Sequence, residues 1–121
     1  MIFTVPGTLP GLNEILDAAK TSKYVYADMK KANTELVGWC VKRARIPKMK
    51  RAALNIIWIE PHRKRDPDNV QVGLKFIWDG LVAVGVLTND GWKQQGPVKH
   101  TMDVDTKNPR VVVEITEVEA V

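Results

Sequence analysis

A chain of 121 residues with 45% hydrophobic and 26% charged content is long enough to bury one core and too short for two domains. Its formal charge of +4, from 18 Lys and Arg against 14 Asp and Glu, is moderate, so the distribution of charge matters more than its sum. A single cysteine, Cys40, excludes an internal disulfide and a thiolate metal cluster, and two histidines exclude a Cys/His zinc site.

Such cysteine usage fits a reducing cytoplasm. No charged-then-apolar leader opens the chain and no apolar run approaches about 18 residues, so a cytoplasmic protein without a membrane span is expected.

Ile2 to Val5 reads as a short strand and Pro6-Gly7-Thr8-Leu9-Pro10-Gly11 as an irregular loop. Residues 12 to 27 carry no decisive period. From Asp28 to Arg45 the positions Met29, Ala32, Leu36, Val37, Cys40, Val41 and Ala44 recur at three and four, predicting an amphipathic helix that stops before Pro47. Cys40 falls on that stripe, which makes it a packing residue and not a nucleophile. Ala52 to Glu60, rich in Ile, predicts a buried strand.

Between Lys42 and Arg65 lie Lys42, Arg43, Arg45, Lys48, Lys50, Arg51, Arg63, Lys64 and Arg65, against one acid, Glu60. That density suggests one positive face, with a solvated surface lacking any ligand as the plain alternative. The strand then runs into His62-Arg63-Lys64-Arg65-Asp66-Pro67-Asp68-Asn69. Cations attract phosphodiesters, and carboxylates among them repel the same phosphates unless a divalent metal lies between. Asp66-Pro67-Asp68 reads equally as a helix start, with Asp66 as N-cap, Pro67 as first helical residue and Asp68 favoured by the macrodipole.

A second helix is predicted from Pro67 to about Val84. Val70, Leu74, Ile77, Trp78, Leu81 and Val84 share one side, and Asp68, Gln71, Lys75 and Asp79 the other. Lys75 lies about two turns from Asp68 on that polar side. A surface pair between Lys75 and Asp79 is the plain reading, favoured for Asp79 and open for Lys75. Gly85 closes the helix, and Thr88-Asn89-Asp90-Gly91 forms a polar turn. Asp90 is there either a turn residue or a third carboxylate returned by the loop to the start of the same helix. Trp92 reads first as an anchoring hydrophobic residue and second as a wedge against an opened base. His62 is a phosphate contact or a bystander. Pro97 to Val104 and Arg110 to Val118 are predicted strands, joined through Asn108-Pro109. The order β-α-β-α-β-β predicts one small α+β domain over residues 1–121, a mixed sheet with helices packed on it.

The combination Arg65-Asp66-Pro67-Asp68-Asn69, then Lys75, then Asp79-Gly80-Leu81, then Asn89-Asp90 resembles the RusA family of Holliday-junction resolvases, small phage- and prophage-derived endonucleases. Val5-Pro6-Gly7 and Leu12-Asn13-Glu14 resemble that family's N-terminal strand and loop, so the likeness spans nearly all of the chain. It implies a RusA-like fold in which Asp66, Asp68 and Asp90 are catalytic and bind magnesium, with manganese as a substitute. Lys75, matched through its distance from Asp79, is the implied catalytic lysine. Asn89-Asp90 stands where many members carry an Asp-Asp pair, and the role goes to the second position. Arg63, Lys64, Arg65 and Asn69 are the expected DNA contacts. The implied activity is magnesium-dependent hydrolysis of four-way DNA junctions in recombination and repair, leaving a 5′-phosphate. It is carried out by a homodimer in a bacterial cell, phage- or prophage-encoded. Two other readings stay open: a non-catalytic basic DNA-binding module, and a nuclease preferring forks or flaps.

Overall fold

Val111, Val113 and Ile115 alternate with Val112, Glu114 and Thr116 along the last strand, and this period of two decides which side of the sheet is buried. The structure, a computed structural model, describes residues 1–121. Four strands, β1 (Ile2–Pro6), β2 (Ala52–Glu60), β3 (Gln95–Val104) and β4 (Arg110–Glu117), form one sheet in the order β1-β4-β2-β3. β4 runs antiparallel to both β1 and β2, while β2 and β3 are parallel. Phe3, Val5, Leu54, Ile56, Trp58, Val111, Val113 and Ile115 point to one face and are buried there. Thr4, Lys99, Thr101, Glu114 and Thr116 lie on the other, which is open to solvent. The protein is therefore a single α+β domain with a mixed sheet. β1 and β3 are its edges.

Four helices complete the order: α1 (Leu12–Thr21), α2 (Lys23–Arg43), α3 (Pro67–Gln71) and α4 (Leu74–Ala83). Residues 12 to 27, without a clear period, are helical. Ser22 separates α1 from α2: its N–H donates to the Ala18 carbonyl, and its hydroxyl accepts from the Val25 N–H. α2 thus starts five residues before Asp28. Its first half buries almost nothing, and only Val37, Gly38 and Val41 are fully inside. Glycines let it press on α4: a Cβ at Gly80 would meet the Val37 Cβ at 2.7 Å, and one at Gly38 the Val84 Cγ1 at 2.9 Å.

The predicted second helix is broken. Gly73, Lys75 and Phe76 each donate to the carbonyl three residues back, a 3₁₀-type tightening between α3 and α4. The tighter turn rotates α4, so Phe76 joins Ile77, Trp78 and Leu81 in the core while Leu74 and Val84 are only half-buried. Gly85, at φ 80°, ends α4 in a Schellman arrangement, with Val86 donating to Leu81 and Gly85 to Val82. α2 ends the same way, with Ile46 donating to Val41, yet the left-handed position is held by Arg45 at φ 58°. Asp105 builds the turn before β4, its Oδ1 accepting from the N–H groups of Lys107 and Asn108. No helix is long and apolar enough to cross a membrane.

Candidate functional site

β2 delivers the basic-acidic block at its C-terminal end, and the block divides sharply between groups turned inward and groups left outside. Arg65 turns inward. Its Nε and Nη2 donate to both oxygens of Glu60, at 2.9 and 3.0 Å, and its Nη1 donates to Glu14 at 2.8 Å and to the Leu9 carbonyl at 3.1 Å. Glu60 is only 5% exposed, so its charge depends on this fork. Burial alone would push the Glu14 carboxyl up, but its own backbone N–H and the Arg65 guanidinium together hold it below the ordinary value. Asn69 also turns inward, its Oδ1 accepting from the Asn13 N–H at the start of α1. Gly11 allows the approach: a Cβ there would meet Asn69 Oδ1 at 2.6 Å and Arg65 Nη1 at 2.9 Å. Arg65 and the Asn69 side-chain oxygen, both expected on the DNA side, thus pin the Leu9–Asn13 loop and the start of α1 onto α3. His62, Arg63 and Lys64 remain exposed, and neither Arg63 nor Lys64 takes part in an ion pair.

The two acids have no such internal use. Asp66 occupies the N-cap position of α3 with extended backbone (φ −67°, ψ 153°), yet its side chain caps nothing. Asp68 accepts only from the N–H of the next residue, Asn69, at 3.0 Å. Both are exposed. Asp66 opens onto a depression of about 480 Å³ with Glu60, His62, Arg63 and Asp103 in its wall. Asp103 was not singled out from the sequence; the parallel register that pairs it with Ile59 brings it here. Lys75 is exposed and makes no ion pair with Asp79. The expected surface pair is absent because Asp79 turns in, its Oδ2 buried without a partner.

Asp90 lies elsewhere. A chain entering β3 parallel to β2 must first return to the end where β2 starts. Asp90, just before β3, is therefore carried to the sheet end opposite Asp66 and Asp68, and not to the start of α3. Ala52 pairs with Gln95 and Glu60 with Val104. Eight residue steps at about 3.3 Å separate these ends by roughly 26 Å. Asp90 is held by a Gln95 Nε2 bond to its carbonyl at 2.8 Å and its carboxylate is exposed. No group of three His, Cys, Asp or Glu side chains is placed to hold a metal ion within the chain. The expected single positive face is likewise divided: residues 42–51 lie at the Asp90 end, with Met49 donating to Val86 and Ala52 to Gln94, and Arg63 and Lys64 at the other.

Trp92 is no anchor. It is 97% exposed, two residues beyond Asp90. Trp58, by contrast, is 1% exposed, with its Nε1 donating to His100 Nδ1 at 2.8 Å. Burial holds the His100 imidazole below its ordinary value of 6.5. No protein-family model matches the chain, and no curated protein matches it.

Proposed function

We propose that the chain is a magnesium-dependent endodeoxyribonuclease that acts on branched DNA, four-way junctions foremost, as a homodimer. The observation that carries this reading is the state of Asp66 and Asp68. They are exposed and in no ion pair, directly beside the exposed cations Arg63 and Lys64; Asp66 caps nothing, and Asp68 accepts only from the adjacent Asn69 N–H. Carboxylates kept among cations without internal work suit a divalent cation, and their oxygen donors are those magnesium selects. Asp66 and Asp68 would hold the ion, which would supply an activated water and relief of charge on the phosphoryl oxygens. Arg63 and Lys64 position the DNA backbone without reading sequence. Lys75, with no acid of its own, meets charge developing on the phosphate.

Two carboxylates are a sparse ligand set, and the sheet suggests where a third comes from. The outer edge of β3 is unpaired along ten residues. A second copy paired antiparallel along it places the start of one β3 beside the end of the other. Such a two-fold arrangement brings Asp90 of the partner subunit toward Asp66 and Asp68, and joins the 42–51 cations of one copy to Arg63 and Lys64 of the next. A four-way junction has two equivalent strands to cut, and a two-fold dimer offers two sites.

The competing reading, a non-catalytic basic module, is favoured by the lack of three converging acids within one chain. Titrating magnesium against the protein with a labelled four-way junction, a fork and a duplex decides between them. The nuclease nicks the junction as metal rises and prefers it to the duplex. A silent module leaves every strand intact at every magnesium concentration.

A further inference from the structure

Indole rings left outside a fold are common singly and need no explanation unless their setting points to a ligand. Trp92 has such a setting. The ring is 97% exposed, but the backbone that carries it is fixed on both sides. Gly91 donates to Gln94 Oε1 at 3.1 Å, Gln94 and Gln95 donate back to the Gly91 carbonyl at 3.1 and 3.0 Å, and Gln94 accepts from Ala52 of β2 at 3.0 Å. Arg51 Nη1 donates to the Trp92 carbonyl itself at 3.0 Å. A hydrogen-bonded turn thus presents a free aromatic face, which lowers the cost of ordering the loop on binding. Three cations adjoin it, Lys93 next in sequence and Lys50 and Arg51 just before β2, outnumbering the nearby acids Asp90 and Glu117, the latter accepting from the Lys50 N–H at 3.1 Å. None of these forms an ion pair. An open depression of about 360 Å³, lined by Asp90, Gly91, Gln95 and Gly96, lies against the ring.

We propose that Trp92 is a stacking platform for an unpaired nucleobase, with Lys50, Arg51 and Lys93 taking the phosphates on either side of that nucleotide. A flat π-face among cations fits a base with its anionic backbone. It fits a membrane poorly, since the adjoining Asp90, Gly91, Gln94 and Gln95 offer no apolar surface to bury with the indole. Bases in a continuous duplex have no free face, so the platform selects branch points and single strands. The inference rests on the nuclease reading only for the choice of polymer, and deepens it by placing an opened base two residues from Asp90.

The test is equilibrium binding with calcium replacing magnesium to hold cutting in check, using a four-way junction, single-stranded oligothymidine and a fully paired duplex. Trp92→Ala is expected to weaken junction and single-strand binding by about tenfold or more, as loss of one stacked base does, with duplex binding within about twofold. Trp92→Phe, which keeps a ring, retains most of the affinity. Because the ring packs against no core residue, the thermal midpoint of both variants stays at the wild-type value. Equal junction binding by wild type and Trp92→Ala overturns the platform, and so does wild-type binding to anionic lipid vesicles without binding to DNA. Parallel magnesium assays of the wild type report on the nuclease separately: junction cutting with an indifferent Trp92 removes only the platform, whereas stacking without cutting removes only the nuclease.

Discussion

Replacing Arg65 by methionine removes the cation bonded to both oxygens of Glu60, and the cost follows from the exposure of its partners. The Glu14 side chain is 43% exposed, so losing its ion pair costs about 0–1 kcal/mol. Glu60 is different: its side chain is 6% exposed and both its oxygens are bound to Arg65. Leaving a carboxylate unpaired in that position costs about 3–5 kcal/mol, which dominates the sum. For a domain of this size about 3 kcal/mol lowers the thermal midpoint by about 10 °C. Urea unfolding followed by circular dichroism measures the loss directly. Arg65→Lys, able to reach fewer of the partners, falls between wild type and Arg65→Met. The double variant Glu60→Leu with Arg65→Met recovers most of the stability, because no stranded charge remains. A loss below about 1 kcal/mol in Arg65→Met refutes the reasoning, since Arg65 then serves as a surface phosphate contact like its neighbours.

Other outcomes follow from the same geometry. Asp66→Asn, whose carboxylate makes no internal bond, changes unfolding stability by no more than about 0.5 kcal/mol while abolishing junction cutting; a large loss of stability instead reveals a hidden capping role. Arg63→Ala with Lys64→Ala leaves the fold intact and makes the dependence of log binding constant on log salt shallower by about 2; an unchanged slope excludes both from phosphate contact. Arg45→Gly relieves a left-handed backbone at φ 58° and raises stability by about 0.5–1 kcal/mol in urea unfolding. His100, held below 6.5, resists a proton that the unfolded chain accepts. Its contribution is therefore complete above about pH 6.5 and declines as pH falls further. Urea midpoints measured from about pH 7.5 to about pH 5.5 drop in the wild type and drop less in His100→Gln.

Strand positions were legible because alternation and β-branched residues specify a half-buried pleat, and Ala52–Glu60 lies where the pattern places it. The α1 and early α2 region was not, because a helix that buries only Ala18 and little before Val37 leaves no apolar stripe to find. The break at Gly73 was equally hidden, since one glycine in a helical pattern is compatible with a continuous helix. Within the site, three adjacent cations carry no period that says which points inward. A signal did exist: Glu60, the lone acid at the end of a buried strand, needed a partner, and Arg65 was within reach. The place of Asp90 was also deducible in part, because a helix between two strands of one sheet is the mark of a parallel crossover, which carries the following loop to the far end. What alternation and spacing do not encode is whether Asp66 closes its cap, as that depends on a side-chain torsion and not on residue type.

The central claim is that Asp66 and Asp68 act with Asp90 of the partner subunit across a β3–β3 dimer. Mixing Asp66→Asn protein with Asp90→Asn protein tests it most directly, after exchange of subunits, by magnesium-dependent nicking of a labelled four-way junction. Each variant alone is inactive. In a mixed dimer one site carries both substitutions and the other carries neither, so the account predicts that nicking returns. A mixture as inactive as its separate components contradicts it.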